Sequence, residues 1–140
     1  MIKENYRQVR THSELNPIPL AQSLLSAGEA FEISEDYDLL DVNFAITKGR
    51  DGFIAFPVTG ESMLPHIRNG DIVFVDTWAV PRNGDTVVAN VNGQNNIKVF
   101  QQTHCELYLV PKNVDYRTRQ IKDTDTFHIV GVVRAHLAFD

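Results

Sequence analysis

The chain is 140 residues long, 43% hydrophobic and 22% charged, the make-up of one globular domain with enough residues to bury a real core. Its 13 Lys+Arg against 18 Asp+Glu give a formal net charge of −5, which excludes the basic stripe needed to neutralise the phosphates of duplex DNA. A single cysteine, Cys105, excludes an internal disulfide and points to a reducing compartment.

Residues 1–19 are polar, broken by Pro17 and Pro19, and show neither helical nor strand period, so they read as a flexible N-terminal arm. Their opening, MIKENYRQVRTHSELN, has no apolar stretch of the signal-peptide kind. Nowhere do about 18 apolar residues run together as a membrane span requires, and the expected location is cytoplasmic. LAQSLLSAG (20–28) fits a short helix ending at Gly28 or an extended segment, and the pattern leaves both open. DLLDVNFAI (38–46) carries apolar residues at 39, 40, 42, 44 and 46, and a short helix is expected there.

From Gly52 the character changes. FIAFPV, IVFVD, TVVANV, NIKVFQQ, ELYLVP and FHIVGVVRAHLAF are short, rich in β-branched and aromatic residues, and bounded by turn residues. Asn-Gly pairs at 69–70, 83–84 and 92–93 punctuate them, and this dipeptide favours hairpins because both residues tolerate positive φ. The last run, 127–139, is long for one strand and is expected to bend near Gly131. The fold class is therefore mainly β and antiparallel, with a compact core from about residue 50.

Within VTGESMLPHIRNGD (58–71), Ser62 occupies a bend framed by Gly60, Met63 and Pro65. A nucleophilic serine needs a partner to take its proton. His66 lies too near in the chain to fold back easily, and His104, His128 and His136 carry no triad spacing. GESML lacks the second glycine of a G-x-S-x-G elbow, and no S-x-x-K follows Ser62. His104 with Cys105 is rejected as a metal pair, since neighbours on one strand point to opposite faces.

Lys98 is the stronger candidate. If Asn92-Gly93 forms a two-residue turn, Val91 opposes Gln94 and Val87 opposes Lys98, which puts the lysine on one face with Val87, Ala89 and Val91. Burial against valines lowers a lysine pKa. At a reference pKa near 10.4 only about one lysine in 2,500 is neutral at pH 7, and a pKa near 7 raises that fraction roughly a thousandfold. A neutral amine then serves as base for a serine. Taken singly, Ser62 reads more readily as an ordinary turn serine and Lys98 as an edge lysine that discourages strand association.

In sequence order, G-E-S-M-L-P…N-G-D-I-V-F-V-D, then N-G-D-T-V-V-A-N-V-N-G…N-I-K-V-F, resembles the self-cleaving serine-lysine peptidases of the LexA and UmuD type. The resemblance runs from about Pro19 to the C-terminus and takes in P-K-N (111–113) and F-H-I-V-G-V-V (127–133). It implies Ser62 as nucleophile, Lys98 as general base 36 positions later, and the twisted antiparallel sheets of that peptidase domain. It implies cleavage at Ala27-Gly28, where small side chains let the scissile carbonyl approach the serine. The arm 1–27 would be removed, leaving a β-rich peptidase and dimerisation domain of residues 28–140. Backbone N–H groups of Ser62 and Met63 would hold the oxyanion.

No metal, nucleotide or organic cofactor is implied. The implied partners are a second copy in a homodimer, a RecA filament on single-stranded DNA, and a UmuC-like catalytic subunit of a Y-family DNA polymerase. Direct sequence-specific DNA binding is not expected. The 27 residues before the cut hold two prolines and no two-helix pattern, so the arm is more similar to that of UmuD than to a helix-turn-helix repressor module. Alanine before the scissile glycine is the repressor-like departure. A type I signal peptidase shares S-M-x-P and a lysine base but would bring a membrane anchor and further lysine-bearing boxes. A non-enzymatic alternative is a repressor-type or phage-derived module that oligomerises or binds RecA.

Overall fold

The computed structural model describes residues 18–21 and 37–140. The chain divides into two units, 1–48 and 49–140. In the first, β1 (Ile18–Ala21) pairs antiparallel with β2 (Tyr37–Leu40), followed by a one-turn helix, α1 (Val42–Thr47). The run 38–46, expected as a single helix, therefore splits at Asp41. The cause is a cap: Asp41 is extended (φ −90, ψ 105) and its Oδ1 accepts from Phe44 N at 3.1 Å, so the helix starts only after it. Lys48, left-handed at φ 54, ends it by returning its N–H to Phe44 O at 2.7 Å. Segment 20–28 begins extended, with Leu20 and Ala21 in β1, and its remainder lies outside the described residues.

The second unit is a 7-stranded antiparallel sheet. Its strands are β3 (Phe53–Pro57), β4 (Ile72–Asp76), β5 (Thr86–Val91), β6 (Gln94–Thr103), β7 (Glu106–Val110), β8 (Arg119–Ile121) and β9 (Phe127–Leu137), in the order β3-β4-β9-β5-β6-β7-β8. All six apolar runs noted in the sequence hold a strand. The three-residue β8 is additional, held by pairing of Leu107 with Ile121 and Leu109 with Arg119.

Consecutive residues of β5 belong to different apolar clusters, because side chains alternate across a strand. Val88 packs with Val58, Met63, Ile67, Val73 and Val75. Val87, Ala89 and Val91 pack with Phe100, Leu109 and Val132. Both sides of β5 are thus buried, which explains its nearly continuous apolar sequence. β9 stays one strand but skips register twice: Val88 pairs with Gly131 and Ala89 with Ile129, while Phe74 pairs with Ala135 and Val75 with Val133. The first bulge lies beside Gly131. A Cβ on that glycine would stand 2.5 Å from Asp76 O, so only glycine lets the strands approach there.

The three Asn-Gly pairs do different things. Asn92-Gly93 closes a two-residue hairpin with φ 51 and 86 at the two residues. Asn69-Gly70 instead ends the long connection 58–71, and Asn83-Gly84 forms a turn before β5, whose neighbours are β6 and β9 and not β4.

Candidate functional site

Connection 58–71 joins two paired strands, Pro57 opposing Ile72, and its ends are tied together. Val58 N donates to Asp71 O at 2.8 Å and Gly70 N to Val58 O at 2.9 Å. Asp71, 3% exposed, accepts from Arg68 N at 2.9 Å through Oδ2, so the buried carboxylate is used to close the final turn. Between these ends, Met63 and Ile67 sink into the first apolar cluster. Burying a methionine is worth roughly 1.5–3 kcal/mol. That anchor leaves Ser62, its chain neighbour, half-buried at the edge of a cleft. Leu64-Pro65 in this connection is a cis peptide bond.

Lys98 arrives from the other side. The register of the β5–β6 hairpin is the one the turn predicts, with Val87 opposite Lys98 and Val91 opposite Gln94. β6 lies between β5 and β7, so Lys98 is not on an edge strand. Its Nζ donates to Ser62 Oγ at 2.9 Å and to the carbonyl of its neighbour Ile97 at 3.0 Å. Burial pushes the Lys98 amine below its usual range, and among the described residues no carboxylate pairs with it to push back.

The source of that burial differs from the sequence expectation. Val87, Ala89 and Val91 belong to the second cluster, whereas the cleft of about 270 Å³ around the two side chains is walled by Phe56, Val58, Val73, Val88 and Ile97. The lysine's backbone register was readable; the long side chain carries its amine to a different apolar wall. Asn95 and Asn96 also line this cleft.

Among the described residues the side-chain partner of Ser62 Oγ is Lys98 and no histidine, and His66, His104, His128 and His136 are all exposed. His104 and Cys105, expected on a strand, form the turn between β6 and β7, with His104 at φ 45. The rejection of that pair as a metal site therefore loses its geometric ground. Among the described residues no three His, Cys, Asp or Glu side chains gather as a metal site would require. Neither the Ser62 nor the Met63 backbone N–H donates to a protein acceptor among the described residues. Ala27 and Gly28 lie outside the described residues.

One residue of the site escaped the sequence reading. Asn113, between β7 and β8, donates its backbone N–H to Ser62 O at 2.9 Å and its Nδ2 to Glu61 O at 2.9 Å. The local P-K-N-V-D pattern signals a side-chain-closed turn, and Asp115 N does donate to Asn113 Oδ1 at 3.0 Å. Nothing local in the sequence shows that the same asparagine reaches the serine loop.

Chemically, the arrangement is a serine hydroxyl in contact with a partly desolvated amine, with two unengaged backbone donors beside it. The chain is 36% identical over 101 residues to a LexA repressor from Desulfatibacillum aliphaticivorans, covering 71% of this chain and 49% of that protein. It is 32% identical over 128 residues to a LexA repressor from Syntrophotalea carbinolica (90% and 62%). With one from Thermotoga maritima the identity is 35% over 127 residues (85% and 62%). The chain thus spans between 49% and 62% of the length of these curated relatives. Residues 19–134, nearly all of both units' described strands, match the Peptidase S24-like family, and the chain belongs to that family.

Proposed function

We propose that the chain is a self-cleaving serine peptidase of the SOS type that cuts its own Ala27-Gly28 bond. The observation that carries this reading is the 2.9 Å contact between Lys98 Nζ and Ser62 Oγ in a cleft with Phe56, Val58, Val73, Val88 and Ile97 on its walls. Neutral Lys98 takes the hydroxyl proton across that contact, and Ser62 Oγ bonds to the Ala27 carbonyl carbon. The negative oxygen is received by the Ser62 and Met63 N–H groups. As the C–N bond breaks, the Lys98 ammonium returns the proton to the departing Gly28 amine. Water, deprotonated by the same lysine, then hydrolyses the ester and frees Ser62. The products are arm 1–27, ending in a carboxylate at Ala27, and fragment 28–140, beginning with an amine at Gly28. The scheme needs no metal, nucleotide or organic cofactor.

The reaction needs Lys98 uncharged and the scissile bond seated beside Ser62 at the same moment, which makes it slow when unassisted. A RecA filament on single-stranded DNA accelerates it by favouring the conformer with the scissile bond in the cleft, a population shift. The trimmed form dimerises in the cytoplasm and serves as accessory subunit of an error-prone Y-family translesion polymerase, alongside a UmuC-like catalytic subunit. Similarity of the P-K-N and F-H-I-V-G-V-V segments to UmuD supports that role. A second reading, a LexA-type or phage-derived repressor-like or RecA-binding module, is favoured by the relatives being LexA repressors and by Ala27 before Gly28.

Intact-mass measurement of the full chain after incubation at about pH 10 tests the chemistry, since alkali supplies the neutral amine without a partner. Two fragments divided at 27/28 are expected, and unchanged mass in folded protein refutes it. Co-purification of fragment 28–140 with a Y-family catalytic subunit separates the two biological readings.

A further inference from the structure

Every polar group of Asn113 is engaged. Two of its bonds, from N–H to Ser62 O and from Nδ2 to Glu61 O, bridge some 50 residues of chain, the second spanning 52. The other two are local: Oδ1 accepts from Asp115 N at 3.0 Å and the Asn113 carbonyl from Tyr116 N at 3.1 Å. The carbonyls of Glu61 and Ser62 belong to the two peptide units whose opposite ends are the Ser62 and Met63 N–H groups. In a trans peptide the C=O and N–H point to opposite sides of the chain. The cis bond in this connection is Leu64-Pro65, so both of these units are trans. Holding both carbonyls from the Asn113 side therefore turns both N–H groups away from Asn113, and neither finds a protein acceptor among the described residues.

We infer that Asn113 is a positioning residue that sets the oxyanion site. It fixes the planes of the two peptides whose N–H groups receive the negative oxygen. By donating to their carbonyls it also polarises both units, which strengthens the N–H donors at the far end. The inference rests on the reading that Ser62 attacks a carbonyl. Asn113 touches neither Ser62 Oγ nor Lys98, so the position of the alkaline rise in rate belongs to the lysine and the height of the plateau to the oxyanion donors.

Asn113→Ala and Asn113→Asp separate the grip from the turn. The aspartate keeps an oxygen for Asp115 N and loses the donor to Glu61 O; the alanine loses both. Self-cleavage of the full-length variants is followed by intact mass from pH 7 to 10.5, with amide NMR spectra at neutral pH. Both substitutions leave the Asn113 N–H on Ser62 O and strip the Nδ2 bond from Glu61 O, so the donor loosened is the Ser62 N–H. Removing an oxyanion donor outright costs about 10²–10³ in rate, so loosening one is expected to lower the plateau about 10-fold in both variants. The pH midpoint stays in place, and the Ser62 amide proton shifts upfield while the Met63 amide and those of the β5–β6 hairpin do not. A wild-type plateau in both variants overturns the inference. So does one in Asn113→Asp alone, which would make the turn the relevant feature. A displaced midpoint, or a loss of rate accompanied by collapse of amide dispersion, overturns it too. If the unaltered chain is not cut at pH 10, or Ser62→Ala is, the peptidase reading falls and takes this inference with it.

Discussion

Asn92-Gly93 and Asn69-Gly70 are the same dipeptide, and each borders one half of the site. The first closes a two-residue hairpin, so the instruction that sets Lys98 opposite Val87 is wholly local: positive φ at two turn residues and a period of two on either side. The second merely finishes connection 58–71, whose course is set from elsewhere. Met63 and Ile67 are drawn into the first apolar cluster, the Asp71 carboxylate closes the last turn, and Asn113 holds the backbone at Glu61 and Ser62. The base is therefore positioned by sequence-local geometry and the nucleophile by tertiary contacts. Perturbations of the two halves should differ in kind: the hairpin half fails through register, the loop half through packing.

The sharpest break of that contrast is a glycine inserted between Asn92 and Gly93. A one-residue slip moves every later side chain of β6 to the opposite face. Cleavage at pH 10 should then be lost as fully as in Ser62→Ala or Lys98→Ala, on the order of 10⁴-fold or more. Cutting at the wild-type rate would show that the hairpin register does not place the lysine. On the loop side, Met63→Ala should cost about 2–5 kcal/mol in urea unfolding, because it empties a site only 2% exposed, and cleavage should fall as Ser62 loses its anchor. Smaller again is Gly93→Ala. An alanine at φ 86 is disfavoured by about 1–2 kcal/mol, yet the register survives, so the folded fraction should be cut at an unchanged rate.

The same contrast explains what could be read without coordinates. The Val87–Lys98 pairing followed from one turn dipeptide, and six strands followed from β-branched runs bounded by turns. β8 did not, because Arg119, Gln120 and Ile121 have no apolar alternation and are held by the ladder to β7, by Ile121 against the second apolar cluster and by the Arg119–Asp125 pair. The split of 38–46 was missed because its apolar spacing suits helix and strand alike; the capping carboxylate of Asp41 decides it. The cleft wall was misassigned because register fixes where a backbone lies, and four methylenes can carry an ammonium well away from it. Ser62 was legible as an oddity on a bend. Asn113 was not legible as its support, since no local pattern connects positions 52 residues apart.

The smallest effect concerns what Lys98 does to the fold. Its amine is held below the usual value by burial, so between its folded pKa and the ordinary 10.5 the native state binds fewer protons than the unfolded chain. Unfolding in that window takes up a proton, and stability rises with pH. Equivalently, the burdensome ammonium is fully present below the folded pKa and gone above 10.5. Lys98→Met, compared with Lys98 in a Ser62→Ala background so that neither protein is cut, removes that burden at every pH. The methionine protein should melt higher at pH 7, by at most a few degrees because the amine is still partly open to solvent, and the gap should narrow toward pH 10.5. A gap that is constant with pH would attribute the gain to packing alone. A gap that widens would mean the lysine is stabilised as a cation in the fold, and an amine so held is a poor base for Ser62.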